Sequence, residues 1–199
     1  MLLPIVQVGE PVLRQKARAL RHNEVRSKEV RELIAAMKET MHAAPGVGLA
    51  APQIGRNLQL AVIEDRPDYT KDWTPEQLVA REREVIPFHV IINPKLTLIG
   101  EQRVEFFEGC LSLANLMAIV PRARKVRVEC LNEKGEHRVI EASGWYARIL
   151  QHEIDHLHGT VYVDRMYPRT LMTVENYKRL WLDHSVAEIK KKLGIEDSA

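Results

Sequence analysis

Cysteine is scarce: Cys110 and Cys130 are the only two in 199 residues. Two thiols exclude a scaffold stapled by several disulfides and leave at most one bridge, which suits a reducing compartment such as the cytoplasm. An excess of one charge is also missing. The 29 Lys and Arg residues against 27 Asp and Glu leave a formal net charge of +2. That balance gives no reason to expect nucleic acid or a membrane as the main partner. No apolar run approaches the ~20 residues that span a bilayer. The start, MLLPIVQVGEPVLRQKA, has no basic segment followed by a long apolar one, so neither a signal peptide nor a transit sequence is expected. Internal repeats and low-complexity tracts are absent too. What is present is ordinary globular composition, 45% hydrophobic and 28% charged. A chain of this length buries a real core without staples, and one domain over residues 1–199 is expected.

Local patterns give an outline. Residues 28–43 repeat apolar side chains at helical period through Val30, Leu33, Ile34, Met37 and Met41, with Ser27 as cap and Pro45-Gly46 as stop. LQLAVIED (58–65) reads as a strand. Residues 66–88 read as an insertion with its own helix start, in which Thr74, Pro75 and Gln77 form a capping box. Strands are expected at 89–93, 96–100 and 103–107. Residues 125–142 alternate around Asn132–Gly135 as a hairpin. Ser143 should cap a helix that stops at Gly159, and a last helix should run from 173 to 192. The fold class is therefore α+β, with antiparallel or mixed sheets around a central helix and with an N-terminal and a C-terminal helix.

The central helix carries the chemistry. QHEIDHLHG (151–159) contains His152-Glu153-x-x-His156. Positions i and i+4 share a helix face, so two imidazoles there can close on one ion. Glu153 lies about 100° around the helix and can reach a water on that ion without ligating it. The alternative is a charged helix face. Against it, Ala147, Leu150, Ile154 and Leu157 make much of the remaining surface apolar, and buried histidines need partners or a metal. His158 reads as a surface residue, and Asp155 is open between solvent and a supporting role. A third ligand is required. Downstream, HLHGTVYVDRM offers Asp164; upstream, FFEGCLSLANL offers Cys110 after Gly109. Cys130, mid-strand, reads as a small core residue.

Three segments, GVGLAAPQIG (46–55), EGCLS (108–112) and QHEIDHLHG (151–159), in this order resemble the three signature motifs of the peptide deformylases. The likeness extends from VGEPVLRQKA to YVDRM. The insertion and ASGWYARIL are similar to the subgroup of organelles and some bacteria. The resemblance implies a metal-dependent hydrolase that removes the N-formyl group from the initiator methionine of nascent polypeptides. It implies Cys110, His152 and His156 as ligands of one divalent ion, Fe²⁺ in the cell, with Zn²⁺, Ni²⁺ or Co²⁺ able to take its place. Glu153 would be general base and acid; Gln53 and the backbone N–H of Leu111 would hold the oxyanion. Gly46, Val47 and Gly48, whose other reading is a plain turn, would pair with the peptide as an added strand beside Gly109. Trp145 and Ile149, otherwise core, would line the methionine pocket. Glu108 and Arg122 would pair beneath the metal loop. There is one departure: Met117 stands where many relatives carry a substrate-contacting arginine. Residues 171–193 would form a C-terminal helix whose IKKK end either complements the helix dipole or contacts the ribosome. The implied location is the bacterial cytoplasm, a mature organelle form being the other option.

Two other function classes compete. A metallopeptidase would use the same helix with an acidic or histidine ligand downstream. A peptide-binding protein without catalysis would have lost Glu153, Gln53 or Cys110, and all three are present.

Overall fold

A computed structural model of the chain describes residues 1–71 and 73–195. The short α1 (His22–Val25) leads into α2 (Lys28–Ala43), capped as expected by Ser27, whose hydroxyl accepts from Val30 N–H at 3.2 Å. Then follow β1 (Gly48–Ala50), β2 (Leu60–Asp65), α3 (Pro75–Ala80) and two long strands, β3 (Ile86–Cys110) and β4 (Leu113–Leu131). β5 (His137–Ser143), α4 (Gly144–Leu157), β6 (Met172–Thr173), α5 (Val174–Leu180) and α6 (Val186–Lys192) complete the order. The six strands form one sheet in the order β1-β2-β3-β4-β5, with β6 beside β4. Every strand pairing in it is antiparallel, which settles the antiparallel-or-mixed alternative within an α+β fold.

The core follows from strand alternation. Ala61 and Ile63 of β2 join Ala147, Leu150, Ile154 and Leu157 of α4 in one buried cluster. Leu60 and Val62, on the opposite face, join Val30, Ile34, Met37 and Met41 of α2 in another. Successive strand residues face opposite ways, so β2 is covered on both faces, by α4 and by α2. Each such Leu or Ile withdrawn from water contributes roughly 1.5–3 kcal/mol before entropy is counted.

The structure corrects four expectations. The three strands at 89–93, 96–100 and 103–107 are one strand, β3. Its apparent breaks are bulges, with register shifts between Ile92 and Lys95 and between Ile99 and Arg103. Asn93 takes φ of 51° and ties its side chain to Leu20 N–H and C=O, both at 2.9 Å, which bends the strand without ending it. β4 begins at Leu113, well before the expected 125, because Pro121 does not stop it. The C-terminal helix is two helices. Ser185 accepts from Glu188 N–H at 3.2 Å and restarts the turn, a local cap that wins over continuation. Ser143 precedes α4 without a side-chain bond to it. Instead the insertion caps α4: Arg81 C=O accepts from Trp145 N–H at 3.0 Å. A Cβ on Gly144 (φ 56°) would stand 2.3 Å from Glu82 Cβ, so only glycine admits this approach.

The insertion is also stacked onto the body. Arg83 pairs with the buried Asp65 through two bonds of 2.7 and 2.9 Å. Its guanidinium lies over Trp73 at 4.7 Å and Trp145 at 4.9 Å. Both cysteines are free.

Candidate functional site

The β3–β4 hairpin brings its tip against α4. Cys110 ends β3, and His152 and His156 stand one turn apart on α4 with ring centroids 5.0 Å apart. One donor atom from each of Cys110, His152 and His156 falls within 4.8 Å of the others. Cys110 Sγ lies 3.3 Å from His156 Nε2. Bonds of ~2.3 Å to sulfur and ~2.1 Å to nitrogen around a tetrahedral ion give an edge of about 3.6 Å, so the donors fit one cation. Asp164, the downstream alternative, lies elsewhere, exposed and paired with Arg14. His158 is exposed, its Nδ1–H donating to Ile154 C=O at 2.9 Å.

A buried ionic shell surrounds these three donors. His152 Nδ1–H donates to Glu108 Oε2 at 3.0 Å, which fixes the ring and leaves Nε2 for the ion. Glu108 also accepts from Arg122 Nε and Nη2, both at 2.9 Å, and from Arg148 Nη1 at 2.6 Å. Arg122 Nη1 reaches Asp155 at 2.5 Å, and Arg165 binds Asp155 with two bonds of 2.6 and 2.7 Å. Arg122 is therefore buried and bridging, not a surface charge. Burial alone would raise the Glu108 carboxyl, but the Arg122 charge and the hydrogen bonds outweigh it and hold it well below the usual carboxylate range. Burial opposes a charge on His152 too, yet Cys110 and Glu108 hold it well above the usual imidazole range. The Glu108 carboxylate that favours a proton there favours a metal cation as well. His156, by burial and the neighbouring His152, is held well below that range, hence neutral as ligation requires.

Glu153 is 3% exposed, and its Oε2 is buried without a hydrogen-bond partner among the described residues. Burial, with the Glu108 charge adding and His152 and Arg122 opposing, pushes its carboxyl up to about 7. The carboxylate lies against β1: a Cβ built on Gly48 would stand 2.2 Å from Glu153 Oε1. Gly48 therefore makes room for Glu153. Gln53 is buried, its Oε1 accepting from Ala50 N–H at 2.8 Å. Its Nε2 points to Ser112 Oγ at 3.4 Å and Cys110 Sγ at 3.5 Å, beside the ligand set.

These groups open onto a cleft of about 330 Å³. Gly46, Val47, Gly48, Gly109, Leu111, Trp145 and Ile149 all line it. His156, with Nε2 3.3 Å from Cys110 Sγ, does not line it. Met117 lies opposite Met172 across β4 and β6, and neither lines the cleft. Arg148, the Asp155–Arg165 pair and Arg83 were missed in the sequence. Arg148 did leave a signal: an arginine in an apolar stretch, four residues before His152.

Comparison with known proteins decides the family. The family described as polypeptide deformylase matches residues 2–171.

The chain belongs to the peptide deformylase family.

It is 44% identical over 191 residues to the chloroplastic peptide deformylase 1A of Solanum lycopersicum, covering 96% of this chain and 67% of that protein. To peptide deformylase 1 of Streptomyces coelicolor it is 43% identical, covering 98% and 87%. Among solved structures, the class I type b peptide deformylase of Acinetobacter baumannii with Met-Ala-Ser bound superimposes with a TM-score of 0.74 at 32% identity, covering 83% of this chain and 99% of that one. The protein is accordingly a metal-dependent hydrolase that removes the N-formyl group from the initiator methionine. No helix among the described residues is long and apolar enough to cross a membrane. The relatives include chloroplastic, mitochondrial and bacterial proteins.

Proposed function

We propose that the deformylase reaction runs at the Cys110, His152 and His156 cluster on the helix that carries the HExxH motif. The supporting observation is one arrangement: three donor atoms within 4.8 Å of one another beside the buried Glu153, at the floor of the cleft. A divalent ion at this cluster supplies Lewis acidity, polarising the formyl oxygen and making water a nucleophile near neutral pH. Glu153, with its carboxyl near neutrality, takes the proton of the attacking water and delivers it to the leaving amine. Gln53 Nε2 and the Leu111 N–H donate to the oxyanion as the formyl carbon becomes tetrahedral. Gly46, Val47 and Gly48 offer backbone to an extended peptide beside Gly109, and Trp145 and Ile149 take the methionine side chain.

The same reading makes residues 1–199 one catalytic domain, with 66–88 as an insertion and the C-terminal helices as an extension. The ion is Fe²⁺ in the cell, replaceable by Zn²⁺, Ni²⁺ or Co²⁺ in purified protein, since thiolate and imidazole suit all four. The substrates are formyl-methionyl nascent peptides, in keeping with the Met-Ala-Ser held by the Acinetobacter baumannii relative. Two free cysteines suit the bacterial cytoplasm. Transient ribosome contact through α6 would rest on the exposed Lys191 and Lys192, because Lys190 is buried and bonded to Glu105 at 2.7 Å. The test is formate release from formyl-Met-Ala-Ser by protein purified without oxygen and assayed for metal. Formate with about one ion per chain is expected; one bound ion without formate would overturn the assignment of the site.

A further inference from the structure

Arg148 is 2% exposed and has no part in the reaction as described above. It sits on α4 at the i−4 position to His152 and i−8 to His156, hence on the stripe that bears both histidines. Its Nη1 donates to Glu108 Oε1 at 2.6 Å and to Val120 C=O of β4 at 2.9 Å. Its Nη2 donates to Val104 C=O of β3 at 2.7 Å. The face of Phe106 lies 5.3 Å from the guanidinium carbon. One side chain thus ties the ligand helix to both strands of the hairpin that carries Cys110, and does so at the carboxylate that orients His152.

Arg122 alone does not secure that carboxylate. It is shared with Asp155, which Arg165 also binds from the half-exposed rim. Arg148 is the second guanidinium on Glu108 itself. The arrangement is costly: Arg148 Nε is buried with no hydrogen-bond partner among the described residues, and an unmet buried donor is destabilising. An apolar side chain would remove that penalty but would strip Glu108 of a buried partner and take a donor from Val104 and Val120 C=O.

We propose that Arg148 is a positioning residue for the metal site, locking Glu108 and through it the His152 ring, so that the three donors are set at ion-binding distance before the ion arrives. This rests on the Cys110, His152 and His156 reading. Partners behind a ligating histidine are typically worth 10–100-fold in metal affinity or activity.

The test uses full-length protein loaded with cobalt(II), read by its visible ligand-field spectrum and by the rate of metal transfer to a chelator. For Arg148→Met, release at least about tenfold faster and an altered spectrum are expected. Arg148→Lys, which keeps the charge but cannot reach three acceptors, should fall between the two. Unchanged release and spectrum in a folded Arg148→Met would overturn the proposal and leave Arg148 as packing. Should that variant not fold, Arg148→Lys decides: wild-type release would overturn the proposal. Wild-type protein whose cobalt spectrum lacks a thiolate band, or keeps it in Cys110→Ser, would overturn the ligand reading and this inference with it.

Discussion

Two concavities among the described residues hold some of the same chemical groups, and only the smaller of the pair brings them together. The larger, about 940 Å³, is lined by Cys130, His89 and Tyr146 together with Arg138 and Glu133. There His89 is satisfied at both nitrogens, Nδ1–H donating to Pro87 C=O at 2.9 Å and Nε2 accepting from Tyr146 O–H at 2.9 Å. Burial pushes the Cys130 thiol up to about 11 and keeps it protonated. The cleft of about 330 Å³, by contrast, is lined by Cys110, His152 and Glu153, with His156 completing the donor set and Glu153 Oε2 without a partner among the described residues. Volume and composition do not distinguish the two. What differs is that one set converges on a point beside a carboxylate whose Oε2 has no partner among the described residues.

The comparison breaks most sharply at Glu153. Glu153→Gln should lower kcat/KM by about 10³-fold or more while metal content stays at the wild-type level; retained turnover would move the base elsewhere. A base must be ionised to act, so its raised pKa makes activity fall as pH drops. The acid limb of kcat/KM should have its midpoint at or below about 7, because a bound cation can only lower it from the value set by burial. A limb that vanishes without loss of rate at pH 5 would contradict the assignment.

Gly48→Ala comes next. The new Cβ would occupy the place of Glu153 Oε1, 2.2 Å away, and displacing the base by about an ångström should cost on the order of 10²-fold. Normal kinetics in that variant would mean that the carboxylate is not confined as described. Gln53→Ala should cost a similar ~10²-fold in kcat with a smaller change in KM, as expected for a donor that acts on the transition state. The smallest effect sharpens the contrast from the other side. Cys130→Ala and Tyr146→Phe should leave kcat/KM within about twofold, since no group of the larger concavity touches the reaction; a tenfold loss would link the two cavities.

What the sequence reveals of this contrast is what neighbours in sequence specify. Ser27 before a helical period, the Thr74–Gln77 capping box and the Asn132–Gly135 turn act within a few residues, and each stands where expected. The HExxH pair is legible for the same reason, since one helical turn joins His152 to His156. Cys110 is separated from them by a hairpin and the next strand; the sequence offers it as a third ligand beside Asp164, and the three motifs taken together favour it. Of the shell only the Glu108–Arg122 pair was legible, through the family resemblance. Glu108, Arg122, Arg148, Asp155 and Arg165 meet only after β3, β4 and α4 have packed, and no local spacing relates them. The bulges of β3 misled in the opposite direction, because Asn93-Pro94 and Gly100 look like strand ends when read locally.

Because the proposed ligands sit on two elements, the hairpin tip and α4, an ion gripped by them is a removable cross-link between a strand end and a helix. Such a link acts by mass action: at a free-ion concentration a thousandfold above Kd it stabilises the folded chain by about 4 kcal/mol, and a chelator takes that away. The melting temperature should therefore depend on metal concentration as well as on the protein. The hairpin tip also lines the peptide cleft, so the stabilisation that the ion supplies extends to the surface that faces the peptide.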